Sequence, residues 1–430
     1  MINTSSNPDV IVVGAGAAGI GAGLALTRLG VPHVILEAKH RVGGRAYSEA
    51  SSIGHLWDHG CHWLHSGDVN VLRFMAEKIG HQFPAKEWAG KLQVFMNGEW
   101  TNSTIREDYV WALIEKIIAT GRAGKDVPAA TLLDQNHPWY PMVRHWCQLL
   151  YSRDPHELST GDAGNYSDSG VDLPVQAGYG ALIEKLAKHL PIRINTKVTS
   201  ISVTPKLVRV ETSSGAIEAK TCIVAVPARV LETQKISFNP TLPQHLQQAF
   251  QDVPMGWYEK VAFAFDAPVF SGFEVPFVDI FDPVAVDTKP LNFELHPFGR
   301  PIAVTHFGGS VAKDMVAQGE AAMKAFALET LVKAFGSDIQ KRVVASATSQ
   351  WTADPMIGGA YSCAKPGLAH ARKVFSETIH DRIFLAGEHV HQHYMATCHG
   401  AYETGIEAGH LAAVVAGYPQ REKNPLWLPS

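Results

Sequence analysis

Residues 9–30 read DVIVVGAGAAGIGAGLALTRLG, and this stretch decides the fold. Val10–Val13 is a four-residue apolar run, short enough for a strand buried on both faces. Gly14, Gly16 and Gly19 follow at G-x-G-x-x-G spacing, and Gly30 with Pro32 stops the helix that opens in that turn. The first glycine permits a tight turn, the second lets the backbone approach a pyrophosphate, and the third lets helix and strand pack closely. The helix N-terminus then offers unpaired N–H groups and a partial positive charge to phosphate. "PHVILEA" (32–38) reads as the next strand and carries Glu37 at its end, eighteen positions after Gly19. A carboxylate there accepts hydrogen bonds from an adenosine ribose. A purely structural glycine turn is the alternative, but strand, helix and acid all stand where a nucleotide-binding βαβ unit needs them.

Working outward, a chain of 430 residues has room for two or three domains, and 46% hydrophobic with 18% charged residues suits a globular protein with sizeable cores. The formal charge of −4 argues against a nucleic-acid binder and weakly permits a cationic substrate. Five cysteines form no CxxC pair, and an odd count suits a reducing compartment. The uncharged run Val10–Thr27 is broken by glycines and has no basic residue before it, so neither a membrane span nor a signal peptide is expected. The expectation is a cytoplasmic protein with no membrane partner.

Ile105, Trp111, Ile114, Ile117 and Ile118 lie near helical spacing and predict an amphipathic helix over 105–119 whose apolar face is core. Residues 191–227 alternate at period two around "SSG" and predict an antiparallel meander ending in the apolar strand Cys222–Val226. Between 240 and 350, strand-like runs at Val261–Phe265, Ile302–Phe307 and Val343–Ser349 surround one helix near Ala321–Phe335. Residues 419–430 read as an extended tail whose Trp427 docks on the surface.

"KHRVGGRAYSE" (39–49) follows the acidic strand, and its Gly43-Gly44-Arg45 resembles the second signature of FAD-binding proteins of the glutathione-reductase-like superfold. Arg45 can offer a fixed fork of donors to the pyrophosphate. Four further stretches extend the likeness along the chain. They are "DHGCHWLH" (58–65), "CIVAVP" with "FNPTLP" (222–243), "WTADPMIGGAYS" (351–362) and "FLAGEHVHQHYMATCHGAYETGIEAG" (384–409). Together these motifs resemble the flavin-dependent amine oxidases, most closely the polyamine oxidase branch.

That resemblance implies an α/β fold, with a discontinuous FAD-binding Rossmann-like domain (1–85, 178–240 and 345–418) and a discontinuous α+β substrate-binding domain (86–177 and 241–344). It implies FAD held by Gly14, Gly16, Ala18, Gly19, Glu37, Gly44, Arg45, His62, Trp63, Leu64, Val198, Trp351, Gly387, Glu388, Thr397 and Cys398. His65 matches the family's active-site histidine, against the plain reading of a core histidine satisfied by backbone. Lys260 matches the lysine that holds a water near the flavin, although a lysine opening an apolar strand could equally be an edge residue with its ammonium in solvent. Tyr361 matches one wall of an aromatic substrate cage, where a ring face favours cationic character. Two departures stand out. The cysteine that binds flavin covalently in monoamine oxidases is Ala360 here, which implies non-covalent FAD. Their second cage tyrosine falls at Ala401, which leaves either a cage open on that side or a contribution from Tyr402, Tyr394 or Thr397.

The implied reaction takes a hydride from the carbon next to a neutral amine to the flavin. Water then hydrolyses the imine to a carbonyl product, and dioxygen reoxidises the flavin to give hydrogen peroxide. The substrate is then a small-molecule amine with O2 as partner, and for a polyamine the acidic stretch 154–172 is a candidate rim. An L-amino-acid oxidase, a desaturase-like enzyme, or a binding module with structural FAD are the competing readings. His389, His391, His393 and His399 read alone suggest a metal. In place, they fall in a loop and at the start of a helix with no supporting carboxylate, so no metal is expected there.

Overall fold

The computed structural model describes residues 8–84, 92–102, 106–273, 277–283 and 288–429. At its centre lies a five-stranded parallel sheet in the order Ile383–Leu385, Thr221–Val224, Val10–Val13, His33–Leu36, Ile192–Arg193. Every ladder in it is parallel. Parallel sheets are buried on both faces, which is why these strands are near-continuous Val, Ile and Leu. Val10, Val12 and Ile223 face one core, while Ile11, Val13 and Val224 face another. Helices Ala17–Leu29 and Cys398–Val415 cover the first face. They pack almost backbone to backbone, since a Cβ on Gly405 would lie 1.9 Å from the Ala18 carbonyl oxygen.

The meander expected over 191–227 divides. Val198–Val203, Val208–Thr212 and Gly215–Ala219 pair antiparallel, with Ser237–Asn239 added in parallel. Thr221–Val224 instead crosses into the central sheet between Val10–Val13 and Ile383–Leu385. Its four residues are all buried, whereas a meander strand with one wet face would have kept alternating.

A second, seven-stranded sheet runs Val343–Thr348, Tyr258–Phe265, Ile302–Gly308, Leu291–Leu295, Phe277–Ile280, Gln93–Met96, Glu99–Thr101. Two helices pack against it, Gly309–Gln318 and Glu320–Phe335, where the sequence suggested one. The first opens on a glycine pair that reads as a turn, and Gly319 at φ +95° separates the two. The strand Val343–Thr348 pairs with Tyr258–Phe265, so a domain boundary at 345 would cut a strand; the boundary at 85–86 lies outside the described residues. The helix expected over 105–119 is a π-helical turn, Arg106–Trp111, running into Ala112–Arg122; Ile105 lies outside the described residues. Val110, Ile114 and Ile117 are core, but Ile114 with Trp111 and Ile118 also lines a cavity, so this face is not core alone. Residues 419–424 of the tail are exposed and its end docks, with Leu428 packed on the central core and the Tyr402 hydroxyl donating to the Pro425 carbonyl (3.1 Å). Among the described residues no helix is long and apolar enough to cross a membrane.

Candidate active site

The carboxyl ends of the central strands open into a cavity of about 830 Å³. Its wall includes the glycine turn, Glu37 and Arg45 as well as His65 and Tyr361, so one space joins the two groups of expected site residues. Gly14 sits at φ +103°, where any Cβ would come within 2.6 Å of the Ala225 carbonyl oxygen. Gly16 caps the helix Ala17–Leu29 with no side-chain hydrogen bond, which leaves the first-turn amides to whatever lies in the cavity. Glu37 Oε2 accepts from the Ala15 amide and Oε1 from the Lys39 amide, both at 2.8 Å. Each oxygen keeps a lone pair for a further donor. A glycine cradle, bare helix amides, an acid at the next strand end and a nearby guanidinium are the donor and acceptor set that a dinucleotide requires.

Arg45 and Glu388 close the cavity from the other side. Arg45 Nη1 donates to the Ala360 carbonyl and to Glu388 Oε1 (3.1 Å). Glu388 also accepts from the Ser362 amide (3.2 Å) and hydroxyl (2.7 Å) and from the Ala396 amide (3.1 Å). Burial alone would raise its pKa, but Arg45, His389, Ser362 and Arg372 outweigh that and hold it at about 2.

Of the expected site residues, Gly14, Gly16, Ala18, Glu37, Gly44, Arg45, His62, Trp63, His65, Val198, Trp351, Tyr361, Gly387, Glu388, Thr397 and Cys398 all line this cavity. Three do not. Gly19 packs helix on turn, since its Cβ would lie 1.9 Å from the Gly14 carbonyl oxygen. Leu64 is fully buried in the core, because neighbouring side chains of the strand Trp63–Leu64 point to opposite sides. Lys260 lies behind the wall and is 1% exposed. It sits on a strand paired on both sides, which removes the solvent-edge reading. Its ammonium donates to the carbonyls of Asp58 (3.1 Å) and Gly60 (2.7 Å) and to His62 Nδ1 (2.9 Å). Burial lowers its pKa to about 8 against the opposing pull of Asp58 and Glu294. Glu294 is itself raised to about 7 by burial.

His65 Nδ1 meets Asp172 Oδ1 at 2.8 Å. Burial lowers the imidazole pKa, but the Asp172 bond and charge outweigh it and the net shift is upward. Asp162, Asp168 and Asp172 line the cavity, Asp162 while paired with Arg372 at 2.7 Å, whereas Asp154 of the same acidic stretch is buried against Gln148 and Ser310. Tyr361 donates from its hydroxyl to the Leu149 carbonyl and faces Tyr258, with ring centroids 5.9 Å apart. Tyr258 is therefore the aromatic neighbour that the sequence reading missed. Tyr402 is fully buried and Tyr394 is not in the wall, so of the three suggested substitutes for Ala401 only Thr397 reaches the cavity. One signal was available, since Tyr258 lies two positions before Lys260 and so shares its side of the strand.

The four clustered histidines separate. His389 is buried against Phe375, His391 bonds Glu403 (3.1 Å), His393 is exposed, and His399 bonds Asn70 (3.1 Å). A different trio converges: ring nitrogens of His62 and His306 and a carboxylate oxygen of Glu294 lie within 4.8 Å of one another. Such a set has ligand atoms for a metal, but the Lys260 ammonium bonded to His62 already supplies the cation in this cluster.

A family model described as flavin containing amine oxidoreductase matches residues 17–101 and 130–410. Polyamine oxidase 4 of Oryza sativa subsp. japonica is 28% identical over 94% of this chain and 88% of its own length. Lysine-specific histone demethylase 2 of Homo sapiens is 26% identical over 95% of this chain, which spans 54% of that protein. A solved structure of wild-type putrescine oxidase bound to putrescine superimposes with a TM-score of 0.76 over 94% of this chain and 98% of that one, at 19% identity, and so shares the fold. The family model spans most of the sequence, including Glu37 and Arg45 at one end of the cavity and Tyr361 at the other, and the chain belongs to the flavin containing amine oxidoreductases, FAD-dependent enzymes that oxidise amines.

Proposed function

We propose that the substrate is a small aliphatic amine with a second, distal amino group, a diamine or polyamine. Dioxygen is the acceptor and hydrogen peroxide the co-product. The observation that carries this reading is that Asp168 and Asp172 stand in the same cavity wall as Tyr361, Tyr258 and His65. Carboxylates suit a distal ammonium, and the two tyrosine faces suit an aliphatic chain that carries positive character. The polyamine oxidase among the relatives and the putrescine oxidase fold point the same way.

Bound FAD supplies the two-electron acceptor, so no nucleophilic side chain is required. The protein's part is to hold the dinucleotide along Gly14, Gly16, Glu37 and Arg45, and to take the reacting amine as its neutral form. His65, held by Asp172, is placed to hold or pass that proton. FAD is non-covalent in this reading: Ala360 stands where a linking cysteine would, and burial pushes the Cys363 thiol up to about 12, far from thiolate. The FAD-binding unit comprises 1–85, 178–240 and the segment from about 349 to 418; the substrate unit comprises 86–177 and 241 to about 348. This division rests on which segments build the five-, four- and seven-stranded sheets; the two-stranded sheet of Trp63–Leu64 and Leu173–Pro174 joins the two units. The protein acts in the cytoplasm.

Anaerobic mixing of the yellow holoprotein with spermine, spermidine, acetylated polyamines, putrescine, benzylamine, an N-methyl-lysine peptide and amino acids tests the reading. The expected result is rapid bleaching by a diamine or polyamine, with peroxide formed when air is readmitted. Bleaching by amino acids or benzylamine alone overturns the substrate class, and bleaching by no amine favours a structural flavin.

A further inference from the structure

Three of the five cysteines are sealed. Cys147 and Cys222 are fully buried, Cys363 in the cavity wall is 2% exposed, and burial pushes all three thiols up. Cys61 and Cys398 differ. Both are partly exposed, both line the large cavity, and the Cys398 thiol is hydrogen-bonded to that of Cys61. The chain holds them together from both sides. The Cys61 amide donates to the Arg45 carbonyl (3.4 Å), and Gly60 permits that approach, since a Cβ there would lie 1.9 Å from the same oxygen. Cys398 opens the helix Cys398–Val415, which Thr397 caps, and its thiol also meets the Tyr179 hydroxyl. Asn70 ties the two segments, with Nδ2 against the His65 carbonyl (2.7 Å) and His399 Nδ1 (3.1 Å).

We propose that Cys61 and Cys398 are a redox pair, which hydrogen peroxide closes to a disulfide across the cavity wall and small-molecule thiols reopen, and that the closed form slows the enzyme. Such a switch needs a thiolate with access to oxidant and a second thiol in reach. A helix N-terminus favours the sulfur anion. The bond from Cys398 outweighs burial, and Arg45 and Lys260 add to it against Asp58, so the Cys61 thiol lies below its ordinary range while that of Cys398 rises. Cys61 is therefore the attacking sulfur and Cys398 the resolving one. The Cys61 thiolate attacks one peroxide oxygen and breaks the O–O bond, leaving a sulfenic acid and hydroxide, which takes up the proton Cys61 lost. Cys398 sulfur then displaces the sulfenic hydroxyl as water and forms the S–S bond. Two thiols and one peroxide give one disulfide and two waters. Two external thiols reverse the step by returning both sulfurs to S–H and leaving as their own disulfide. Closing draws the sulfurs from contact to about 2.05 Å, which pulls the 60–65 segment toward the helix start. His62, Trp63 and His65 on one side and Thr397 on the other form the cavity wall, where a displacement of about 1 Å can slow reaction by about 10²-fold. Peroxide is the co-product proposed above, so turnover limits itself. That link rests on dioxygen being the acceptor, whereas the chemistry of the pair does not.

The first test is a thiol count on the holoprotein with no amine present. After peroxide treatment, quenching with catalase and alkylation of the unfolded chain, two of the five cysteines should stay unalkylated, joined as one Cys61–Cys398 peptide pair, and dithiothreitol should restore all five. Cys398→Ser should stop at a sulfenic acid on Cys61 that dimedone traps. Five alkylated thiols after peroxide, a disulfide between other cysteines, or no dimedone adduct in Cys398→Ser overturns the proposal. The second test reads kcat with the amine that bleaches the flavin, comparing each protein with its own untreated rate. Peroxide should slow the wild type by about 10-fold or more at unchanged flavin content, reversibly with dithiothreitol, and should leave Cys61→Ser and Cys61→Ala at their untreated rates. An oxidised wild type as fast as the reduced one, or an equal loss in the Cys61 variants, overturns the regulatory role. A wild type reduced by no amine would defeat the functional reading, and the thiol count, which uses no amine, still decides whether the pair closes.

Discussion

Glu388→Gln is the perturbation whose size the structure fixes best. The carboxylate is 3% exposed and accepts from Arg45, from the Ser362 amide and hydroxyl, and from the Ala396 amide. These surroundings overcome the upward pull of burial and take its pKa from an ordinary 4.5 to about 2. At 1.36 kcal/mol per unit, that shift is worth about 3 kcal/mol of stability. A depressed carboxylate contributes fully above its unfolded pKa and loses the contribution as pH falls toward the folded value. The whole of it is therefore present at pH 7, and about 1.5 kcal/mol remains at pH 3. Glutamine keeps the shape but cannot ionise, so the penalty of the variant should be larger at pH 7 than at pH 3 by about 2 kcal/mol. Urea unfolding followed by tryptophan fluorescence at both pH values measures the difference. An equal penalty at both, within about 0.5 kcal/mol, would show that the charge of Glu388 is not what the surrounding donors stabilise.

Two further outcomes follow from pairs that span the chain. Asp172→Asn removes what lifts His65, so the His65 ionisation in the kcat/KM profile should move to lower pH. The shift should stay under about one unit, because both side chains are more than a third exposed and the pair is screened; a profile unchanged from wild type, while His65→Gln abolishes that ionisation, counts against the pair. Arg372→Met leaves the buried Asp162 carboxylate without its two guanidinium bonds of 3.1 and 2.7 Å, which should cost about 3–5 kcal/mol. At about 2.1 cal/mol/K per residue this lowers Tm by about 3–6 °C. Adding Asp162→Leu should restore part of the loss, and a double variant less stable than Arg372→Met alone would show that the charge left behind was not the cause.

What the sequence made legible was local, and what it hid was pairing across distance. The glycine turn, its helix and Glu37 fall within 24 residues of one another, so their geometry follows from chain connectivity and steric rules alone. Leu64 shows the limit even at short range: a motif names neighbours together, but a strand turns alternate side chains apart, and Trp63 took the cavity while Leu64 took the core. The partners that give the site its electrostatics come from far away. His65 meets Asp172 across 107 positions, and Arg372 meets Asp162 across 210. Lys260 lies opposite His306 only because two antiparallel strands settle in one register, and a slip of one residue would turn every side chain to the other face. Lysine beside His62 is a contact between a turn in one domain segment and a strand from another, 198 positions on. A motif identifies which residues a chemistry needs, whereas register decides which of them touches the cavity. At Lys260 the two differ, since the motif names it and the register leaves it behind the cavity wall.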